Sequence, residues 1–306
     1  MVDKTLEPAK VPLIDVALVR RLVSAQFPQW ASLPVVAAEP QGWDNRTFRL
    51  GPDLTVRLPS AVDYRTQVDK EQRWLPFLAA HVPLPIPVPR ARGVPGAGYP
   101  FSWSVHGWLA GEPAVTTQLT KPSEVARSLA RFLVALQQVD HAGGPPPGQH
   151  CFWRGGPLTT YDTETRRTID ILGDLVDGPA ATTVWDTALR AHWGGRPVWF
   201  HGDISPGNLL VRDDDLTAVI DFGCCGVGDP ACDVTIAWTL FSGESREAFR
   251  AGLPLDDATW ARGRGWALWK SLITVAEHRT TNPALAAASL HIVREVLAEH
   301  ATTDSP

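Results

Sequence analysis

The stretch VWFHGDISPGNLLVRDDDLTAVIDFG, residues 198–223, decides how the rest of this chain is interpreted. Its apolar runs predict strands, and polar side chains follow directly where those runs end. A carboxylate beside a buried strand is unfavourable unless a partner compensates its charge. A magnesium ion together with a phosphate group would provide that compensation, so the stretch raises the possibility of a nucleotide site.

The first half of the stretch has the spacing that phosphoryl transfer requires. His201, Asp203 and Asn208 form the pattern His-x-Asp-x-x-x-x-Asn. Transfer from a nucleotide needs an aspartate that accepts or orients the proton of the acceptor hydroxyl, and an asparagine beyond a tight loop that holds a metal ion. Pro206 and Gly207 supply the turn between them. Taken alone, His-Gly-Asp is equally compatible with an ordinary turn capped by an aspartate.

The second half of the stretch ends in Asp221-Phe222-Gly223. A carboxylate at the end of a strand, next to a flexible glycine, is well placed to bind Mg²⁺. The tripeptide also occurs by chance, so it is weak evidence by itself. It gains weight because it follows the first pattern in order, joined to it by a hairpin whose turn, RDDD at 212–215, is expected to be solvated.

These motifs resemble the aminoglycoside phosphotransferase and choline kinase family, which has a protein-kinase-like fold. HGDISPGN stands where the family has its catalytic loop, IDFG where it has its metal-binding strand, and GDPACD (228–233) looks like the Gly-Asp-Pro-x-x-Asp run that follows. The resemblance implies an α+β, two-lobed fold. A small β-rich N-terminal lobe, residues 1–110, would bind the nucleotide, and a larger, mainly helical C-terminal lobe, residues 111–306, would carry catalysis and bind the acceptor. Asp229 and Asp233 are expected to be structural.

The resemblance also implies roles for individual residues. Asp203 would be the catalytic base, and His201 would brace the catalytic loop through hydrogen bonds. Asn208 and Asp221 would be the ligands of Mg²⁺ and would thereby contact the nucleotide, ATP or GTP, that donates the phosphoryl group.

The family expects a lysine on the third strand, paired with a helix carboxylate, to hold the α- and β-phosphates. The strand LTVRLP (54–59) offers Arg57 instead, and the following helix offers Glu71. Arginine keeps the charge and can contact two oxygens, but it is longer and planar. We expect Arg57 to take the lysine's place; the alternative is an exposed strand arginine.

Two further segments are expected to contact the nucleotide. In QGWDNRTF (41–48), Gly42, Asn45 and backbone amides could fold over the phosphates. The segment His106–Leu109, which includes Trp108, should supply backbone groups to the base, an expectation that rests on the resemblance alone.

Composition limits the possible partners. The 306 residues carry a net charge of −5, positive over 1–111 and negative over 112–306, which would suit a polyphosphate and a cationic partner. The acidic balance and the lack of a Lys/Arg-rich run argue against nucleic-acid binding. No signal segment and no apolar run long enough to span a bilayer is evident, so we expect a cytoplasmic protein without a membrane partner.

The four cysteines have no disulfide spacing, as expected for a reducing compartment: Cys151, Cys224, Cys225 and Cys232. Zinc binding by the last three, or a zinc or redox protein built on Cys224 and Cys225, is a remaining alternative. Three tryptophans close together in sequence, Trp260, Trp266 and Trp269, either line an acceptor pocket or belong to the core.

Hydrophobic periodicity and turn residues predict several elements. We expect a first helix over Leu13–Phe27, strands over 46–51 and 54–59, and a helix over 64–82. The proline-rich segment after it should be extended. A strand is expected within 99–112, a helix after it with Ser123 as its cap, and further helices over 165–192 and 258–301.

The expected activity is transfer of the γ-phosphate of ATP or GTP to a hydroxyl group of a small molecule. The acidic second half favours an aminoglycoside-like antibiotic, which would make the protein a resistance enzyme. Other hydroxylated antibiotics of the nucleoside or macrolide type, and metabolites such as amino alcohols or sugars, remain open as acceptors. A kinase-fold protein that binds a ligand without catalysis is the alternative of another class.

Overall fold

The structure, a computed structural model, describes residues 11–39 and 41–303 of the chain. The predicted lobes, 1–110 and 111–306, include residues 1–10, 40 and 304–306, which lie outside the described residues.

The chain divides into two units. The first comprises Met1–Gly111 with Ala218–Gly223, and the second comprises Glu112–Thr217 with Cys224–Pro306. The return of Ala218–Gly223 to the first unit was not predicted from the sequence. It assigns Asp221 to the same unit as Arg57.

The first unit contains a five-stranded antiparallel sheet in the order β1-β2-β3-β5-β4. Its strands are β1 (Val35–Ala37), β2 (Asn45–Leu50), β3 (Leu54–Pro59), β4 (Pro89–Gly93) and β5 (Trp103–Gly107), and its helices are α1 (Val16–Gln26) and α2 (Arg65–Ala79). The predicted hairpin between β2 and β3 forms, and it turns at Gly51, whose φ of +61° favours glycine.

Helix α1 covers one face of this sheet. Its buried residues Leu18, Val19, Leu22 and Val23 share a hydrophobic core with apolar side chains of β1, β2, β3 and β5. The helix begins three residues later than predicted because Asp15 caps it: the Asp15 carboxylate accepts the backbone N–H of Leu18 at 2.8 Å.

The proline-rich segment after α2 forms no regular element until β4 begins at Pro89. Strand β4 lies at the edge of the sheet, where a proline that cannot donate a hydrogen bond is tolerated.

The second unit is mainly helical. Its helices are α3 (Pro122–Gln138), α4 (Asp162–Leu172), α5 (Gly178–Arg190), α6 (Ile236–Thr239), α7 (Gly243–Ala251), α8 (Asp257–His278) and α9 (Pro283–Thr303). Its short strands are β6 (Glu112–Pro113), β7 (Val198–Phe200), β8 (Leu209–Arg212), β9 (Asp215–Val219) and β10 (Gly226–Gly228), where the last two residues of β9 already belong to the first unit. The strands form a β6-β8-β9 sheet and a β7-β10 pair.

Two sequence-based expectations for the second unit are resolved by the structure. Helix α3 starts with Pro122 at its first turn and has no side-chain cap, so the prediction of Ser123 as its cap was wrong. Proline suits this position because its missing N–H would have no helical partner. Trp260, Trp266 and Trp269 are at most 4% exposed, so they belong to the core.

The predicted α+β class, with a small β-rich N-terminal lobe and a larger, mainly helical C-terminal lobe, is confirmed. Among the described helices, none combines the length and the apolar character needed to cross a membrane.

Candidate functional site

The predicted catalytic loop begins where β7 ends. His201 is fully buried, and Gly202 adopts a φ of +86° that reverses the chain toward Asp203. The carboxylate of Asp233 accepts the backbone N–H groups of both His201 and Gly202, each at 2.7 Å. Because Asp233 is itself completely buried, these two bonds fix the loop to the interior of the second unit.

The loop brings together the three residues that the sequence pattern singled out. The backbone N–H of Asp203 donates to Nδ1 of His201 at 3.1 Å, as expected for a histidine that braces the loop. The side-chain amide of Asn208 donates to the backbone oxygen of Asp203 at 2.9 Å and to its Oδ2 at 3.1 Å. Asp203 is therefore held from both sides of the turn, by His201 through its backbone N–H and by Asn208 through its backbone oxygen and its carboxylate.

Sequence reasoning missed a fourth residue, Lys270 on α8. Its Nζ donates to Oδ1 of Asp203 at 2.5 Å, and the two side chains are 44% and 30% exposed. Burial would raise the pKa of Asp203, but Lys270, together with Arg154 and His201, lowers it to about 2. Asp203 is therefore ionised at neutral pH. Lys270 lies in a helix without a recognisable motif, so the sequence carried no signal for this contact.

The first unit contains the second group of predicted residues. Nη1 of Arg57 on β3 lies 3.0 Å from Oε1 of Glu71 on α2, so the expected pair between strand and helix forms. Nη2 of the same guanidinium lies 2.6 Å from Oδ1 of Asp221. Burial would lower the pKa of Arg57, but the two carboxylates raise it above its ordinary value. Arg57 is not the exposed strand arginine of the alternative interpretation.

The backbone around Asp221 is unusual. Asp221 has a φ of +65°, a left-handed conformation that aspartate tolerates better than most residues do. Two residues later, the backbone oxygen of Gly223 accepts a hydrogen bond from Nζ of Lys70 at 2.6 Å. Lys70, which the sequence analysis did not single out, thus anchors this segment to α2 within the first unit.

His106 on β5 is buried beside this ion pair. Its Nε2 lies 4.0 Å from Oε2 of Glu71, and neither ring nitrogen has a hydrogen-bond partner among the described residues. Burial and the charge of Arg57 lower the pKa of His106 to about 3, so the ring is neutral at physiological pH.

The two backbone N–H groups that follow His106 already have hydrogen-bond acceptors within the first unit. The N–H of Gly107 donates to Val88 O at 3.2 Å, and the N–H of Trp108 donates to Asp53 O at 2.8 Å. The indole of Trp108 lies 4.7 Å from the guanidinium carbon of Arg49. Any backbone donor to a nucleotide base must therefore come from elsewhere in the predicted segment.

The segment predicted to cover the phosphates is a short, internally bonded loop. The backbone oxygen of Gly42 accepts a hydrogen bond from Nη1 of Arg46 at 2.5 Å. Asn45 is only 6% exposed because it opens β2 and pairs with Pro59 across the sheet. The structure thus places Gly42 in the loop and the Asn45 side chain in the interior.

The predicted metal ligands offer suitable oxygen donors. Mg²⁺ is usually bound by one or two protein oxygens, substrate phosphates and water. Asp221 supplies a carboxylate. The amide nitrogen of Asn208 donates both of its hydrogen bonds to Asp203, so the amide oxygen of Asn208 takes no part in them and can serve as a ligand. Within residues 11–39 and 41–303, no group of three or more His, Cys, Asp or Glu side chains is arranged to hold a metal ion.

The two aspartates of the GDPACD run have structural contacts, as expected. Asp233 fixes the catalytic loop, and Asp229 caps the turn that follows it by accepting the N–H of Ala231 at 3.0 Å. Asp229 also forms a buried ion pair with Arg262 on α8, in which its two oxygens lie 2.6 and 3.1 Å from two guanidinium nitrogens.

Comparison with known proteins gives one curated relative and several solved structures. An aminoglycoside 3'-phosphotransferase from Escherichia coli is 26% identical over 187 residues, which cover 57% of this chain and 64% of that protein's length. The GDP and kanamycin complex of APH(2")-IIIa has a TM-score of 0.72 at 18% identity and covers 92% of this chain and 98% of the other. The macrolide 2'-phosphotransferase MphH from Brachybacterium faecium has a TM-score of 0.58 at 23% identity, with 88% and 97% covered.

The structural likenesses establish that the fold is the one the motifs led us to expect. The sequence of residues 36–266 matches APH, the phosphotransferase enzyme family. The match spans most of the chain and contains the loop from His201 to Asn208 as well as Arg57 and Asp221. This chain therefore belongs to the phosphotransferase enzyme family.

Proposed function

We propose that this protein transfers the γ-phosphate of ATP or GTP to a hydroxyl group of a small-molecule antibiotic and thereby confers resistance. The observation that carries the proposal is the loop in which Asp203 is held ionised by Lys270 and hydrogen-bonded by Asn208. The names of the relatives support it: one is an aminoglycoside phosphotransferase, one was solved with GDP and kanamycin, and one is a macrolide phosphotransferase.

Asp203 is the residue that meets the acceptor hydroxyl. In phosphoryl transfer from a nucleotide, such an aspartate accepts the hydrogen bond of the attacking hydroxyl and takes its proton as the bond to phosphorus forms. With a pKa of about 2, Asp203 is a weak base, so its main contribution is to orient the hydroxyl. His201 acts through the loop backbone and not on the substrate.

The first unit is the nucleotide-binding part of this proposal. Arg57 would contact the phosphates, and Glu71 would hold Arg57 in position. The loop with Gly42 and the start of β2 at Asn45 would lie near the phosphates, and the segment with His106 and Trp108 near the base.

Asn208 and Asp221 would hold Mg²⁺. When bound, the ion supplies positive charge that offsets the negative charge of the phosphates and of the leaving diphosphate. Catalysis and acceptor binding belong to the second unit, where Asp203 lies. Four free cysteines are compatible with a cytoplasmic site of action.

A mass-spectrometric transfer assay tests the proposal. Purified protein with Mg²⁺ and either ATP or GTP is offered aminoglycosides, macrolides, nucleoside antibiotics, amino alcohols and sugars. We expect one phosphoryl group to be added to an antibiotic by the wild type and by Asp215→Ala, which removes an exposed carboxylate from the β8–β9 hairpin, but not by Asp203→Ala. Nucleotide binding without transfer to any acceptor would instead identify a binding protein, and transfer to a metabolite alone would refute the antibiotic assignment.

A further inference from the structure

We propose that Lys270 selects the acceptor: the reacting hydroxyl is carried on an uncharged or anionic part of the acceptor, and an ammonium group beside it is excluded. This inference rests on the proposed function and narrows its acceptor class. It concerns groups of the second unit only.

The proposal starts from the charge already present at Asp203. Lys270 places an ammonium nitrogen 2.5 Å from Oδ1, while Oδ2 accepts the Asn208 amide. Both charged side chains are partly exposed, so an acceptor hydroxyl that reaches Asp203 also reaches Lys270. The negative charge that a cationic acceptor would seek is thus neutralised by the protein itself.

Arg154 adds a second cation near the same carboxylate. Its Nε donates to the backbone oxygen of Gly202 at 3.2 Å, and its guanidinium carbon lies 4.6 Å from the ring of Trp269. Its buried Nη1 has no hydrogen-bond partner among the described residues. The positive charge of Arg154 is therefore fixed in place beside the loop and stays close enough to Asp203 to act on it.

Lys270 thus lies against the carboxylate that the reacting hydroxyl must approach, and Arg154 adds positive charge that acts on the same carboxylate. An ammonium group next to that hydroxyl would lie against Lys270, and like charges in such contact disfavour binding strongly. The acidic balance of the second unit as a whole can attract a cation from a distance, but it does not remove repulsion at contact distance. A neutral or anionic neighbour of the hydroxyl can instead accept a hydrogen bond from the ammonium group, which has three donors.

Acceptor selection by Lys270 can be measured with one cationic acceptor, kanamycin, and two kinds of non-cationic acceptor. These are fully N-acetylated kanamycin, which has the same hydroxyl groups without the ammonium charges, and neutral nucleosides. The quantity compared is the ratio of kcat/KM for non-cationic over cationic acceptors. We expect the wild type to favour the non-cationic acceptors, Lys270→Arg to preserve the ratio, and Lys270→Met and Lys270→Glu to lower it progressively, the latter by at least about tenfold. Lys121→Met removes the same charge from an exposed position of the same unit and should leave the ratio unchanged.

The outcomes separate this inference from the proposed function. A wild type that favours kanamycin, or Lys270 variants that lower kcat/KM equally for both kinds of acceptor, would overturn the inference while leaving the kinase activity established. Absence of transfer to every acceptor, including those of the wider panel, would refute the proposed function, and the inference would fall with it. Thermal unfolding of each variant shows whether a loss reflects folding.

Discussion

The guanidinium group of Arg57 lies 2.6 Å from the carboxylate of Asp221 and, through its other terminal nitrogen, 3.0 Å from that of Glu71. One side chain thereby joins a strand, a helix and the segment Ala218–Gly223 within the first unit. The planar guanidinium presents several donors in a fixed geometry, whereas a lysine ammonium is a single compact charge. Arg57 is therefore suited to a bridging role that the lysine of the family pattern would not fill in the same way.

Removing the Arg57 charge should strongly destabilise the first unit. Arg57→Met leaves the buried Glu71 without its cation, and breaking a buried pair in this way costs about 3–5 kcal/mol of unfolding free energy. Urea unfolding followed by tryptophan fluorescence measures this loss. Combining Arg57→Met with Glu71→Gln should recover part of it, because the second change removes the unpaired charge.

The matched control is the ion pair of Arg92 with Asp69, whose side chains are 44% and 67% exposed. Arg92→Met should cost no more than about 1 kcal/mol, as for other surface pairs. Equal losses for the two arginine variants would contradict a structural role for the bridge.

Asp233 should control the catalytic loop without touching substrate. Asp233→Ala leaves the N–H groups of His201 and Gly202 buried and without their acceptor, which should lower the unfolding free energy by about 2–4 kcal/mol. We expect kcat to fall more than nucleotide affinity, because the loop of Asp203 shifts while the first unit stays intact. Calorimetric nucleotide titration together with transfer kinetics separates the two effects.

Asp177→Ala is the comparison for Asp233, since it removes an aspartate that accepts one backbone N–H at an exposed helix start. This substitution should lower the unfolding free energy by about 1 kcal/mol and leave kcat unchanged. A larger effect on kcat from Asp177→Ala than from Asp233→Ala would refute the assigned role.

The sequence was most informative where contacts are close along the chain. His201, Asp203 and Asn208 were expected in one loop because glycine and proline in HGDISPGN require a turn, and the structure brings them into contact. The pairing of Arg57 with Glu71 was also predictable, because it joins a strand to the next helix.

Contacts that depend on packing could not be predicted. Lys270 and Asp203 are 67 positions apart, and they meet only because α8 packs beside the catalytic loop. Arg57 and Asp221 are 164 positions apart, and their contact requires Ala218–Gly223 to join the first unit, which no local pattern specifies. Helix starts were misjudged where a local feature rather than hydrophobic periodicity decided them: a capping carboxylate at Asp15, and at Pro122 a proline in the first turn without any side-chain cap.

The two glycines of the catalytic loop should respond differently to substitution. Gly202 has a φ of +86°, and a Cβ there would lie 2.5 Å from the backbone oxygen of Cys224. Gly202→Ala should therefore lower the unfolding free energy by at least about 2 kcal/mol. A Cβ on Gly207 would meet no atom within 4 Å, so Gly207→Ala should change the unfolding free energy by no more than about 1 kcal/mol. Chemical denaturation of both variants checks this, and equal losses would argue against the loop geometry.

His106 should make the stability of the first unit sensitive to acid. Burial and the charge of Arg57 hold its pKa at about 3, against an ordinary value of 6.5, so the unfolded chain binds more protons than the folded one between these values. The contribution of neutral His106 to the free energy of unfolding is complete above pH 6.5 and is lost as the pH falls toward 3. At pH 5 the loss amounts to about 2 kcal/mol relative to pH 7.5. His106→Leu, which removes the titrating ring without leaving a buried polar group, should lose correspondingly less between these two pH values.

Urea unfolding at pH 7.5 and pH 5 measures the difference directly, and the comparison of each variant with itself cancels any pH-independent effect of the substitution. His81→Leu is the control, because it removes an exposed histidine of the same unit and should retain the acid sensitivity of the wild type. Glu71 faces His106, so the experiment is repeated with Glu71→Gln to separate the titration of that carboxyl from that of the imidazole. An acid-induced loss that is the same in His106→Leu as in the wild type would mean that other groups, and not this buried ring, bind the protons on unfolding.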